Sequence, residues 1–166
     1  MIKITLPDGS IKEFAQNSTA IDVAKSISEG LARNVISATF NDTTVETTTP
    51  LISDGSLVLH TFNDEGGKKA FWHSSAHVLA EAILSFHPDA KLTIGPAIDN
   101  GFYYDVDLGE EIISEKDFKD IENKFLEIAR GKHEFKMREV SKDDALSLYK
   151  NENNPYKVEL IENLTD

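Results

Sequence analysis

A chain of 166 residues with 40% hydrophobic content can fill one ordinary core or two small ones, and it contains no apolar run long enough to span a bilayer. Cysteine is absent, which excludes disulfides, thiolate metal sites and a cysteine nucleophile within these residues and fits a cytoplasmic setting. The net charge is −12, with 4 basic against 7 acidic residues through Phe62 and 13 against 22 after it, so neither part has the basic excess that broad gripping of nucleic acid requires.

The start, MIKITLPDGS, lacks the basic flank and apolar block of a signal peptide. Ile2, Ile4 and Leu6 alternate, Pro7-Asp8-Gly9 supplies a turn, and residues 10–14 return as a second strand. Thr19 and Asp22 form a capping-box pattern ahead of a short helix with Ile21, Ala24 and Ile27 on its apolar stripe, closed by Gly30. A strand at 35–40, a Thr-rich edge strand, a turn at 53–56 and a strand at 57–62 follow. This order of strands and one helix predicts a β-grasp, and nothing in residues 1–62 suggests catalysis.

The polar stretch NDEGGKK, residues 63–69, reads as a linker before a second domain over 70–166. A helix is expected from about Ala70 to Phe86, with Trp72, Ala76, Leu79, Ile83 and Phe86 as its buried stripe and His87-Pro88 ending it. Residues 91–108 read as strand, tight turn and strand, with Gly95-Pro96 and Asn100-Gly101 as punctuation and 102–106 as strand formers. Ser114 and Asp117 begin a second helix with Phe118, Ile121, Phe125 and Ile128 on its apolar face and Gly131 as its stop. A strand over 133–140, a third helix capped by Ser141 and Asp144, and a strand over 156–161 complete the series. The chain ends five residues past that last strand and reads as part of a longer one.

Chemistry concentrates in two places. His73 and His77 stand four residues apart, one helical turn, on the shoulder of the apolar stripe. The pair admits three readings: structural residues, two metal ligands, or metal-free acid–base groups. The zincin motif needs Glu directly after the first His, and Ser74 stands there. Zinc also needs three or four ligands, and Glu81, His60, His87 and His133 are poorly spaced to supply them. The run GPAIDNGFYYDVD, residues 95–107, offers small residues for close approach and aromatic faces for stacking, or simply a hairpin. No phosphate-binding glycine loop and no serine nucleophile elbow is present, so ATP chemistry is not supported within these residues.

Taken together, KITLPDGSIKEF at 3–14, HSSAHVLAEAI at 73–83, IGPAIDNGFYYDVD at 94–107 and PYKVELI at 155–161 resemble the N-terminal part of bacterial-type threonyl-tRNA synthetases. The resemblance spans essentially the whole chain. It implies an α+β architecture: a ubiquitin-like β-grasp TGS domain, then an editing domain with an antiparallel sheet and packed helices. It further implies an enzyme that joins threonine to its tRNA, with a region that hydrolyses tRNA wrongly charged with serine, because one missing methyl gives the synthetic pocket only about 1–3 kcal/mol of discrimination.

By the same resemblance His73, His77 and Lys157 are catalytic, Tyr104 lines the pocket, and Gly95, Pro96, Asp99, Asn100, Gly101 and Phe102 shape it near the tRNA 3′ end. ATP with magnesium, a catalytic-core zinc and the dimer interface are expected outside these residues. The family's second cluster, Cys-x-x-x-His, also lies beyond them. The implied ligands are therefore the tRNA 3′ end and its seryl or threonyl group, with no membrane contact, metal held weakly if at all by His73 and His77, and editing impaired without the second cluster. Two other classes compete: a non-catalytic module binding RNA or a protein partner, and a metal-dependent trans-editing deacylase.

Overall fold

The computed structural model describes residues 1–133, 135 and 138–164. Contacts divide the chain into two units, Met1–Trp72 and His73–Asp166.

In the first unit, strands β1 (Ile2–Thr5) and β2 (Ile11–Phe14) form the expected antiparallel hairpin. Gly9, at φ +81°, takes the left-handed position of its turn. Helices α1 (Ala20–Ile27) and α2 (Glu29–Asn34) lead to β3 (Val35–Phe40), the edge strand β4 (Thr43–Val45) and β5 (Gly55–Thr61). The sheet order is β2-β1-β5-β3-β4, with β5 parallel to β1 and every other pairing antiparallel. That order is the β-grasp. Ile2, Ile4 and Leu57 from the sheet close on Ala20 and Val23 of α1.

The Thr19–Asp22 capping box forms, with the Asp22 carboxylate accepting from both the backbone N–H (3.0 Å) and the hydroxyl (2.7 Å) of Thr19. The stripe it introduces is Ala20, Val23 and Ala24, however, and Ile27 is exposed. Gly30 does not end α1. Ser28 does, and it then caps α2 by accepting the Leu31 N–H at 3.0 Å, which places Gly30 inside α2.

The polar segment 63–69 is mostly helical. Helix α3 runs Glu65–Phe86 and so starts within it. Its glycines are there for proximity: a Cβ on Gly67 would stand 1.9 Å from the Thr61 carbonyl oxygen, so only glycine lets this turn pack against the end of β5. Ser37 donates to the Gly66 carbonyl at 3.3 Å, and Asp64 accepts from the Thr61 N–H at 2.7 Å, completing the junction. Farther along α3, Ala76, Ala80, Ala82 and Ile83 are buried, Trp72 and Leu79 are half-buried, and Phe86 is 49% exposed.

In the second unit the 91–108 region forms two small antiparallel ladders. Strands β6 (Lys91–Leu92) and β9 (Val106–Asp107) make the outer one, and β7 (Ala97–Ile98) and β8 (Gly101–Phe102) the inner hairpin. Residues 103–105 lie between strands rather than in one. Helix α4 (Glu115–Arg130) begins with the expected capping box, Asp117 accepting from the Ser114 N–H and hydroxyl, both at 2.8 Å. Ile121 and Ile128 pack on Ala82 and Ile83 of α3, while Phe118 is 52% exposed. Helix α5 (Lys142–Asn151) has Ser141 as its cap, accepting the Asp144 N–H at 3.1 Å.

Two strand expectations fail. Of 133–140, His133, Phe135, Arg138, Glu139 and Val140 are not in a strand, and Glu134, Lys136 and Met137 lie outside the described residues. Residues 156–161 belong to a helix, α6 (Pro155–Glu162). Alternation over six residues is too short to separate the two periods. The decisive local signal is Asn154-Pro155, a capping side chain followed by a residue whose fixed φ suits the first helical position. Asn154, Lys157, Val158 and Ile161, the less exposed residues here, recur with helical spacing.

Candidate functional site

Helix α3 carries His73 and His77 one turn apart, and their Nε2 atoms approach to 3.2 Å. The rings are perpendicular, with centroids 4.7 Å apart. One nitrogen must donate and the other accept at this distance, so the pair shares a proton and disfavours double protonation. His77 remains partly open to solvent, yet its basicity is lowered, first by burial of its ring, then by His73 and by the ammonium of Lys157. The ring of Phe135 stands 6.2 Å from that of His77.

Lys157 comes from the first turn of α6. Burial lowers its own basicity, as expected for an ammonium with part of its hydration removed. The three residues expected to be catalytic are thus brought into one electrostatic neighbourhood, although Lys157 stands 80 positions after His77 in the sequence.

Tyr104, between the ladders, packs its ring on Gly95: a Cβ there would lie 2.3 Å from a ring carbon. Burial and the neighbouring Tyr149 of α5 raise its phenol above the usual range, so it is a neutral hydroxyl at physiological pH. Pro96 is half-buried after that contact, while Asp99 and Asn100 form the exposed turn between β7 and β8. Gly101 follows with φ +152°. Phe102 faces an apolar groove lined by Leu79, Ile121, Phe125 and Leu126. The residues expected to shape the pocket therefore split, with Gly95 and Tyr104 packed together and Phe102 on the α4 side.

Two of the other three histidines have separate partners: His60 bonds Thr39 at 2.8 Å and His87 pairs with Glu111. Among the described residues no group of three or more His, Cys, Asp or Glu is placed to hold a metal ion. The His73–His77 pair offers two nitrogen donors, short of the three protein ligands that a catalytic zinc takes. No described helix is long and apolar enough to cross a membrane.

Sequence reasoning passed over Asn154 and Tyr156. Asn154 is 7% exposed and donates its amide to the Leu92 carbonyl of β6 at 3.0 Å. Tyr156 donates its hydroxyl to the Asp107 carboxylate of β9 at 2.7 Å. Both fix α6 against the outer ladder. The Asn-Pro pair is the signal that could have exposed the first; nothing local marks the second.

Residues 2–61 match the TGS domain family model. Over all 166 residues the chain is 65% identical to the threonine–tRNA ligase of Flavobacterium johnsoniae, 66% to that of Flavobacterium psychrophilum and 47% to that of Clostridioides difficile. It spans only about a quarter of the length of these curated relatives. The β-grasp strand order agrees with the TGS match, so residues 2–61 are a TGS domain, and the chain as a whole is similar to about a quarter of the length of threonine–tRNA ligases.

Proposed function

We propose that this chain is the N-terminal region of a cytoplasmic, dimeric ligase that charges tRNA(Thr) with threonine using ATP, and that its second unit hydrolyses seryl-tRNA(Thr). The observation that carries the hydrolytic reading is the Nε2–Nε2 contact of His73 and His77 beside Lys157. A seryl ester needs a base for water, a cation for the developing oxyanion and an acid for the departing ribose oxygen. A neutral imidazole with lowered basicity supplies the first, and the nearby ammonium the second.

In this scheme one histidine takes a proton from water as the water oxygen bonds to the ester carbonyl carbon. Lys157 stabilises the oxyanion. The carbonyl carbon–ribose oxygen bond then breaks, the imidazolium returns its proton to that oxygen, and free serine leaves. The Nε2–Nε2 contact lets the proton move between rings. Tyr104, held on Gly95, lines the aminoacyl pocket, with Pro96 and the 99–102 turn placed toward the tRNA 3′ end. ATP, magnesium and the catalytic-core zinc belong to the longer protein outside these residues.

His73→Ala and His77→Ala in the full-length protein test this. Each should slow seryl-tRNA deacylation by about 10²–10⁴-fold while threonylation continues, in the range of a lost general acid or base. Unchanged deacylation in both variants rejects the assignment. Loss of activity on adding a chelator would favour the metal-dependent deacylase instead.

A further inference from the structure

Asn154 is a buried polar residue that the scheme above leaves without a role, and all its hydrogen-bonding groups are used. Its backbone N–H donates to the Tyr149 carbonyl at 3.0 Å, and its carbonyl accepts the Val158 N–H at 3.2 Å. Its side-chain Oδ1 accepts the Lys157 N–H at 3.1 Å, and Nδ2 donates to the Leu92 carbonyl at 3.0 Å. An N–H on one side and a carbonyl on the other leave a single orientation for the amide. One residue therefore joins the end of α5, the start of α6 and the strand β6.

Each of those three elements leads to a different part of the site. Tyr149 of α5 neighbours Tyr104. Lys157, whose own N–H Asn154 holds, acts on His77. Strand β6 leads through Thr93 and Ile94, both hydrogen-bonded to Asp105, into Gly95 and its contact with Tyr104. Capping alone does not explain the choice. Serine, threonine or aspartate would cap α6 as well, but none offers an uncharged acceptor together with an N–H donor to the Leu92 carbonyl.

We propose that Asn154 is a positioning residue of the hydrolytic site: its amide ties the first turn of α6 to β6 and so sets Lys157 against the His73–His77 pair, with Tyr156 on Asp107 as a second, weaker tether. This rests on the hydrolytic reading of the second unit. Misplacing a charged group by about 1 Å costs on the order of a hundredfold where alignment matters.

The test is Asn154→Ser, which keeps an acceptor for the Lys157 N–H, adds no charge and removes the donor to Leu92. In the full-length protein kcat for seryl-tRNA deacylation should fall tenfold to a hundredfold with KM little changed. In the 166-residue chain the Lys157 ammonium, followed by carbon-detected NMR, should titrate closer to a free lysine. Tyr156→Phe should shift both readouts the same way by a smaller factor, and it decides the matter if Asn154→Ser does not fold. A folded Asn154→Ser protein with lowered melting temperature but unchanged kcat and Lys157 titration overturns the proposal. If Lys157→Ala itself leaves deacylation intact, the hydrolytic role of Lys157 fails instead, whatever Asn154→Ser does to the titration.

Discussion

His77 loses basicity for three reasons that act together: its ring is partly buried, His73 stands at hydrogen-bonding distance, and Lys157 adds a positive charge. The sign of the consequence is fixed. A histidine whose folded pKa lies below its unfolded value near 6.5 favours the folded state in its neutral form, so the unfolded chain binds more protons once pH falls below that value. Stability should therefore drop as pH is lowered through about 6.5 and level off below the folded pKa, and His77→Gln should flatten that slope in urea titrations run from pH 7.5 to 5. An unaltered slope would show that His77 is not the group involved. The His73–His77 contact was legible in the sequence, because residues four apart on a helix must face the same way. The repulsion from Lys157 was not, because spacing says nothing about a side chain 80 positions away.

At the level of elements, short-range chemistry decided most starts and little else. The capping boxes at Thr19–Asp22 and Ser114–Asp117 and the cap at Ser141 form as read, since each closes hydrogen bonds within four residues. Helix α6 was misread because its six-residue alternation weighed more than Asn154-Pro155. The start of α3 was misread because glycines are usually loop residues, and the reason for Gly67 lies in a carbonyl at Thr61. Gly67→Ala should accordingly destabilise the first unit by about 1–3 kcal/mol, an overpacking cost, seen as a lower urea midpoint. A loss under about 0.5 kcal/mol would mean the turn shifts freely, contrary to the 1.9 Å approach.

Across the whole molecule, charge and core size differ in what they govern. The net charge of −12 opposes diffuse attraction to RNA, so the isolated chain should bind tRNA no tighter than about 10 µM at 150 mM salt, with a shallow salt dependence. Filter binding that gave nanomolar affinity would reveal a basic surface that the composition does not suggest. Among the described residues, the main buried cluster of the first unit holds eight apolar residues and that of the second four, with Ile112, Phe118, Leu126 and Leu160 of the second unit exposed. A small core makes local tethers matter more, and Asn154 and Tyr156 are such tethers in the second unit.

By itself the sequence determined the succession of strands in the first unit, the starts of α1, α4 and α5 and the histidine pair, all of which follow from chain-local periodicity and hydrogen bonds. Its resemblance to a known family also named Lys157 and Tyr104. Only the tertiary structure decided that 63–69 mostly begins a helix, that 156–161 is a helix and that Gly95 exists to admit the Tyr104 ring. It alone showed that the buried amide of Asn154 binds α5, α6 and β6 together. The reason is the same in each case. The partner that makes the residue choice intelligible is a carbonyl, a ring or a strand brought close by folding, and sequence spacing does not measure that distance.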